Sequence, residues 1–230
     1  MDITSIIRNL IIAAPAILIA ITFHEIAHGW VANKLGDPTA KMMGRLSFNP
    51  LAHIDPIGTV LVPIMLFVMS NGTFMFGAAK PVPVNFLNLR NPKRDSALVS
   101  VAGPAANVII AFLGILLFKI ISVVAPGSPD PASLGNRIFV PLSYMIYYII
   151  QFNIFIAAFN LLPIPPLDGG RIATSLLPTK HAYEFSKLEP YGMFIVIGLW
   201  ILGIARYIII PLQMIIEFIL KIMLIPFGGM

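Results

Sequence analysis

The sequence predicts an all-α protein that crosses a membrane several times. Of its 230 residues, 58% are hydrophobic and 11% are charged, whereas about a quarter of the residues of a soluble domain are charged. Several apolar runs reach the roughly 20 residues that a helix needs to cross a bilayer. We expect a three-helix core with peripheral C-terminal helices. A re-entrant segment and a short extended or β element are expected between the first two core helices.

The first core helix is predicted from Leu10–Ala32, an apolar run interrupted by ITFHEIAHGWVA at residues 21–32. A polar loop follows, and then the shorter run Ile57–Met69, which contains Pro63. This run is too short to cross a bilayer as a helix, so we expect it to enter and leave the membrane on the same side.

The stretch TFMFGAAKPVPVNFLNLR, residues 73–90, predicts extended chain because Pro81 and Pro83 lie two positions apart. Backbone N–H groups two residues apart in a strand point to the same side. The prolines therefore remove donors from one edge, while Val82 and Val84 keep theirs on the other.

The second core helix is predicted to begin at Asn91-Pro92, a cap residue followed by a proline in the first turn. The third is predicted from Phe139–Leu162 and ends in the proline- and glycine-rich stretch NLLPIPPLDGGR. A polar linker, Arg171–Pro190, leads to two peripheral apolar runs, Met193–Ala205 and Tyr207–Ile225. We expect one integral membrane domain over residues 1–230, with its core at 10–175 and C-terminal helices at 191–226.

The distribution of Lys and Arg predicts the orientation, because these residues accumulate in cytoplasmic loops. They concentrate in segments 33–56, 80–96 and 165–190, whereas only Arg137 lies in 125–138. We therefore expect the three basic segments in the cytoplasm and 125–138 outside, in a plasma membrane. The net charge of +5 without a basic tract gives no sign of nucleic-acid binding, and the absence of cysteine excludes disulfides and thiolate metal sites.

The motif HEIAH has the spacing of a metal site. His24 and His28 are four residues apart, so one helix face carries both imidazoles. Glu25 lies one position round the helix, where it can take a proton from a water on the metal. An ionised side chain near a bilayer centre costs about 2.5–3.5 kcal/mol, so three ionisable groups here predict one catalytic zinc rather than packing. Counting from Leu10 at 1.5 Å per residue places His24 about 9 Å below the cytoplasmic surface of a core about 30 Å thick.

A catalytic zinc usually has three protein ligands and one open position. Two residues are candidates for the third ligand, Asp168 in LDGG and His53 in NPLAHIDP. Each has a structural alternative: Asp168 as a turn residue before two glycines, and His53 as a solvated or capping loop histidine. Asp168 is favoured, because it is predicted at the cytoplasmic end of the third span, level with the motif.

HEIAH followed much later by NLLPIPPLDGGR resembles the site-two protease family of intramembrane zinc metalloproteases, in a compact branch that lacks PDZ and CBS domains. GPAAN at 103–107 resembles the G-P-x-x-N of that family's middle core helix, and the resemblance covers about residues 10–175. It implies a zinc metalloendopeptidase that cleaves within or near the membrane spans of protein substrates. The zinc ligands that the resemblance implies are His24, His28 and Asp168. The catalytic residues that it implies are Glu25, as general base, and Asn160, as a contact of the substrate or the developing oxyanion.

Four residues are candidate substrate contacts. An exposed strand edge can hold an extended peptide by strand addition, which nominates Val82 and Val84; a proline-stiffened loop is the alternative. Asn107 follows small residues that allow close helix approach, and it fits either a substrate contact or an interhelical hydrogen bond. His53 is the fourth.

The alternative function is a metal or proton transporter, because intramembrane His and Glu residues also mark ion pathways. Transporters often contain internal repeats with matched broken helices, and the sequence shows none. A third alternative is an inactive membrane scaffold, but a scaffold has no use for the proton acceptor Glu25.

Glu217 and Lys221, four residues apart, are expected to form an ion pair. The expected partners are the bilayer and a transmembrane protein substrate, with no nucleic acid and an undefined oligomeric state.

Overall fold

A computed structural model describes residues 3–62, 64–65, 77, 79–124 and 133–224 of the chain. The α-helices of these residues are, in chain order, α1 (Ile3–Leu35), α2 (Thr39–Met42), α3 (Pro92–Val124), α4 (Leu134–Asn160), α5 (Asp168–Leu176), α6 (Thr179–Ser186), α7 (Glu189–Ile201) and α8 (Ala205–Leu224). Shorter helical turns are 3₁₀ at Pro50–His53 and Phe86–Asn88 and π at Pro56–Leu61.

Four helices are long and apolar enough to cross a membrane. The candidate spans are Ala14–Leu35, Pro92–Val123, Gly135–Asn160 and Ala205–Leu224. The first three confirm the predicted core helices, and the fourth is the longer of the two peripheral helices. α7 has 13 residues and is too short to cross a bilayer alone.

Core helices α1, α3 and α4 all pack against one another, α5 packs on α3, and α8 packs on α4. Apolar burial does little to drive helices together in lipid, so close van der Waals contact has to hold such a bundle. Small residues supply that contact, and Ala20, Ala111 and Ala157 are completely buried. The larger apolar cluster lies between α3, α4 and α8 and includes Ile115, Ile150, Ile154, Ile216 and Leu220.

The loops that follow α1 and precede α3 are joined by backbone and side-chain hydrogen bonds. The N–H of Arg90 donates to the carbonyl of Leu35 at 3.1 Å, and Asp37 accepts from residues 85 and 88. Arg171 of α5 lies over the ring of Phe86 at 5.0 Å and pairs with a glutamate of α7. The three predicted cytoplasmic segments therefore contact one another.

The region after α4 differs from the prediction. α4 ends at Asn160, and Asp168 does not end the third span but begins the separate helix α5. The expected polar linker Arg171–Pro190 is largely helical, in α5 and α6. Prolines after Asn160 end α4, and the acidic residue Asp168 in the first turn favours the new helix α5 through the helix dipole.

The last two helices also differ in detail from the predicted runs. The turn between them is at residues 202–204, where Gly203 has a φ of 70°, so Arg206 lies in the first turn of α8 rather than between the helices. The expected ion pair of Glu217 with Lys221 is not formed. Both side chains line a cavity of about 310 Å³ between α3, α4 and α8.

The re-entrant segment and the extended element are not confirmed. The run Ile57–Met69 begins in the π-helical turn Pro56–Leu61, and residues 63 and 66–69 lie outside the described residues. Residues 79–85 form neither helix nor strand. Their backbone is instead bound by side chains from other segments, which decides what this stretch can do at the site.

Candidate metal centre

Three side chains that the sequence nominated as zinc ligands converge at one point. His24 and His28 come from successive turns of α1, and Asp168 is the first residue of α5. The two Nε2 atoms are 3.0 Å apart, and Asp168 Oδ2 lies 3.1 Å from His24 Nε2 and 3.3 Å from His28 Nε2. Only 6% of His24 and 9% of Asp168 is exposed.

The hydrogen bond of His28 defines which of its nitrogens carries hydrogen. Its Nδ1 lies 2.7 Å from the carbonyl oxygen of Val99 in α3. A carbonyl oxygen only accepts, so Nδ1 must donate and Nε2 has a bare lone pair in the neutral ring.

The same argument applies to His24, through an amide. Its Nδ1 lies 2.6 Å from Asn107 Oδ1 in α3. Asn107 Nδ2 donates to two acceptors, the carbonyl of Ala20 at 3.0 Å and Asn153 Oδ1 at 2.8 Å. This pattern fixes Oδ1 of Asn107 as an acceptor, so His24 Nδ1 donates and its Nε2 is also bare.

Two bare imidazole nitrogens and a carboxylate oxygen therefore face one another in a buried place. Asp168 Oδ2 has no hydrogen-bond partner there. Three lone pairs at this separation repel unless a cation lies between them. Tetrahedral zinc with ligands at about 2.0–2.1 Å has ligand–ligand edges of about 3.3 Å, close to the three distances above. The donor set therefore fits zinc in identity, protonation and spacing.

Gly103 of α3 provides the space beside these ligands. A Cβ atom at this position would lie 2.4 Å from His28 Nε2 and 2.6 Å from His24 Nε2. Any other residue would place carbon against the atoms that bind the metal. The GPAAN stretch thus serves the site twice, with Gly103 giving room and Asn107 orienting His24.

Two glycines fix the position of Asp168. A Cβ atom on Gly169 would lie 2.3 Å from the carbonyl oxygen of Leu161, and one on Gly170 would lie 2.2 Å from the nitrogen of Pro165. The first turn of α5 therefore packs directly on the backbone of the preceding loop. This close packing brings Asp168 to the histidines of α1.

Glu25 is adjacent to the metal donors but is held by a different part of the chain. Its Oε2 accepts a hydrogen bond from the backbone N–H of Val82 at 2.6 Å. Val82 is buried and lies against α1 at Gly29. One carboxylate oxygen of Glu25 is therefore engaged by the segment that was expected to bind substrate.

Three candidate substrate contacts have hydrogen-bond partners inside the protein, and their contact with a substrate stays a prediction. The N–H of Val82 is occupied by Glu25, so it is not a free donor at a strand edge. Asn107 is completely buried and uses both its amide atoms between helices, which is the interhelical alternative. His53 is 1% exposed, and its Nε2 donates to the carbonyl of Ser47 at 2.8 Å. It is not among the three converging donors.

The remaining nominated residues lie nearby without a metal contact. Val84 is half-buried and packs on a small cluster with Ala32, Leu89 and Val99, so its substrate contact stays a prediction. Asn160, the last residue of α4, donates from Nδ2 to the carbonyl of Ile156 at 3.0 Å, and its catalytic role also stays a prediction.

Sequence reasoning missed Asn153, which is completely buried. Its Oδ1 accepts from Asn107, and its Nδ2 donates to the carbonyl of Ile149 at 2.7 Å. It therefore ties α4 into the hydrogen-bond chain that ends at His24. A polar amide in a membrane-length apolar helix was the available signal.

Comparison with known proteins decides the family. The sequence profile of peptidase family M50 matches residues 12–203. The chain belongs to peptidase family M50. This confirms the resemblance to site-two proteases and makes the protein a zinc metalloprotease.

Several related proteins are also named as zinc metalloproteases. YwhC of Bacillus subtilis (strain 168), named as a zinc metalloprotease, is 36% identical over 85% of this chain and 83% of its own length. Rip2 of Mycolicibacterium smegmatis is 28% identical over 80% of this chain and 64% of its own length. Zinc metalloprotease MJ0392 of Methanocaldococcus jannaschii is 22% identical over 73% of this chain, which spans 34% of that protein. No solved structure matches the chain.

Proposed function

We propose that this M50 protein hydrolyses peptide bonds within or near the membrane spans of protein substrates. The observation that carries the proposal is the convergence of His24, His28 and Asp168 inside a bundle of membrane-length helices. Soluble peptides do not need such a location. A substrate that is itself a membrane helix can reach it by lateral diffusion in the bilayer.

The three donors would hold one zinc ion through His24 Nε2, His28 Nε2 and Asp168 Oδ2. The bound zinc supplies a Lewis acid that polarises the scissile carbonyl and makes water a stronger nucleophile near neutral pH. The two histidines keep their orientation through Val99 and Asn107, and such outer contacts also raise the basicity of an imidazole ligand.

Glu25 is the general base and then the general acid. Its oxygen that is not bonded to Val82 takes a proton from the attacking water as the water oxygen bonds to the carbonyl carbon. The carbon–nitrogen bond then breaks, and Glu25 returns the proton to the leaving nitrogen. One carboxylate thus serves both steps. The proton taken from water ends on the leaving nitrogen, which also keeps the electron pair of the broken bond, so no further reactant is needed.

Asn160 is assigned to the substrate or the developing oxyanion. It ends α4 only eight positions before Asp168, so a single short loop separates its amide from a metal donor. Its Nδ2 uses one hydrogen for the carbonyl of Ile156, and an amide nitrogen has a second hydrogen to donate. A fixed donor at the position of developing charge stabilises the transition state.

The site is proposed to open to the cytoplasm in a multi-pass plasma-membrane protein that forms one domain. Contacts of segment 80–96 with each of the other two basic segments support their placement on one side. The predicted depth of His24, about 9 Å below the cytoplasmic surface, is part of this proposal.

The test compares Glu25→Gln with the wild type on a single-span membrane substrate in liposomes. The glutamine is isosteric but cannot accept the proton, so cleavage should fall about 10²- to 10⁴-fold while one zinc per chain is retained. Glu217→Gln is the matched control, because Glu217 is an intramembrane glutamate away from the metal donors, and it should cleave like the wild type.

Wild-type cleavage by Glu25→Gln would overturn the assigned mechanism. Zinc passing across sealed liposomes without any cleavage would restore the transporter alternative. Cleavage of only water-soluble peptides would overturn the substrate class while leaving the metalloprotease chemistry intact.

A further inference from the structure

The segment that holds Glu25 is irregular, yet its backbone is fixed at several points. Lys80 donates its N–H to the carbonyl of His53 at 3.0 Å, and Val82 donates to Glu25 at 2.6 Å. Neither helix nor strand hydrogen bonds support residues 79–85. The contacts that hold Val82 in place therefore come from other segments of the chain.

Asp37 binds this segment on the C-terminal side of Val82. One carboxylate oxygen accepts the N–H of Asn85 at 2.7 Å, and the other accepts Nδ2 of Asn88 at 2.9 Å and the N–H of Thr39 at 3.1 Å. Asp37 is completely buried, and it lies two residues after the end of α1, the helix that carries Glu25. It therefore links the end of this helix to Asn85, three positions beyond Val82.

Arg45 binds the segment on the N-terminal side. Its guanidinium donates to the carbonyl of Lys80 at 3.0 Å and to that of Pro81 at 3.3 Å. Pro81 precedes Val82 directly, so the peptide group that carries the Val82 N–H includes the Pro81 carbonyl. Both bonds come from one guanidinium nitrogen, which has two hydrogens to donate.

We propose that Asp37 and Arg45 are positioning residues for the general base, acting through the backbone N–H of Val82. The inference rests on the proposed role of Glu25. Together the two side chains bracket Val82 and hold its N–H against one oxygen of Glu25. This contact selects one orientation of the carboxylate and leaves the other oxygen for proton transfer.

The physical consequence is a separation of metal binding from base positioning. The hydrogen bonds that orient His24 and His28 come from helix α3 and not from residues 80–88. Loss of the Asp37 or Arg45 contacts should release Val82 and let Glu25 rotate. Zinc content and substrate affinity should stay unchanged, whereas turnover falls.

The experiment measures kcat, KM and zinc per chain for Asp37→Asn and Arg45→Gln in the full-length protein. Asp37→Asn replaces one acceptor oxygen with a donor group, so it cannot accept from both Asn85 and Asn88. We expect kcat to fall about 10- to 100-fold, as for a misplaced catalytic group, with KM and zinc unchanged. Arg45→Lys should recover part of the activity lost in Arg45→Gln, because its ammonium can still donate to one carbonyl.

A double-mutant cycle with Val82→Pro separates positioning from general stabilisation. Val82→Pro removes the N–H itself and should lower kcat alone. In that background Asp37→Asn should cause no further loss, because residues that act through one contact are not additive. Asp95→Asn is the matched control: Asp95 is buried and accepts the N–H of Asn91 at 2.8 Å at the start of α3, and its variant should retain wild-type kcat.

Two results would overturn the inference. One is a normal kcat per zinc-loaded molecule in both Asp37→Asn and Arg45→Gln, with only thermal stability reduced. The other is a full additional loss of kcat when Asp37→Asn is added to Val82→Pro. Glu25→Gln in the same assay separates the two proposals: if it is inactive, these results overturn positioning alone, and if it is active, both proposals fail.

Discussion

His24 and His28, two of the three donors, and Glu25, the proposed general base, are neighbours in α1 but depend on different kinds of structure. His24 and His28 are oriented by α3 through a carbonyl and a buried amide, and Asn153 extends that support into α4. Glu25 is bound by one N–H of an irregular segment. We call the donors His24, His28 and Asp168 with their supporting contacts the metal side, and Glu25 with its supporting contacts the base side. The metal side should lose its geometry when helix packing is disturbed, whereas the base side should lose it when loop contacts are removed.

The metal side should be broken most severely by Gly103→Ala. The added methyl group would lie 2.4–2.6 Å from the two Nε2 atoms, which is closer than any carbon can approach nitrogen without displacement. We expect loss of bound zinc and of all cleavage. Zinc analysis of the purified, folded protein and the liposome assay measure both.

Gly198→Ala is the matched control, because the same methyl group at this helical position would meet nothing within 4 Å. It should keep zinc and activity. A Gly103→Ala protein with one zinc per chain and wild-type turnover would show that the three donors shift freely, contrary to a site fixed by packing.

Asn160→Ala tests whether Asn160, the last residue of α4, contributes to turnover without contributing to zinc binding. If its amide donates to the oxyanion, its loss should lower kcat about 10²- to 10³-fold, with zinc content unchanged. Steady-state kinetics on the zinc-loaded variant give the answer. Unchanged kcat would remove Asn160 from the catalytic residues.

Asn107→Leu should weaken the metal side by a smaller amount. Leucine fills a similar volume but cannot accept from His24 Nδ1, so the ring loses its fixed orientation. Loss of such outer contacts costs about 10- to 100-fold in metal affinity. Competition with a chromophoric chelator measures the affinity, and a value equal to that of the wild type would mean that Asn107 only joins helices.

The sequence predicted most of the metal side because its signals are local. Two histidines four residues apart share a helix face whatever surrounds them, and apolar runs of membrane length predict the helices that carry them. The position of Asp168 needed only the order of the spans. Its start of a new helix was missed because the prolines before it and the two glycines after it were interpreted as unwinding the chain.

The base side was harder to predict, because it depends on contacts between residues far apart in sequence. Asp37 and Asn85 are 48 positions apart, and Arg45 and Lys80 are 35 apart. Nothing in the pattern Pro81-Val82-Pro83 says whether its free N–H meets a substrate or a side chain of the same protein. Alternation predicted a free edge at Val82, whereas the tertiary structure occupies it with Glu25.

The smallest effect should come from pH on the base side, through Asp37. Burial by itself raises the pKa of Asp37, but hydrogen bonds from Thr39, Asn88 and Asn85 outweigh it and hold the pKa below the ordinary 3.8. A carboxyl whose pKa is lower in the folded state contributes stability above about pH 4, and this contribution is lost as the pH falls through that value toward the folded pKa. Each kcal/mol corresponds to about 2–4 °C in Tm for chains of this length.

The Tm of wild type and Asp37→Asn should therefore differ by a few degrees at pH 6, and the difference should shrink as the pH falls below about 4. Comparing the two proteins cancels the acid-dependent loss of zinc, because both keep the same three donors. A difference that stays constant from pH 6 to pH 3 would mean that the charge of Asp37 does not hold the 80–88 segment. The base side would then depend on Arg45 and packing alone.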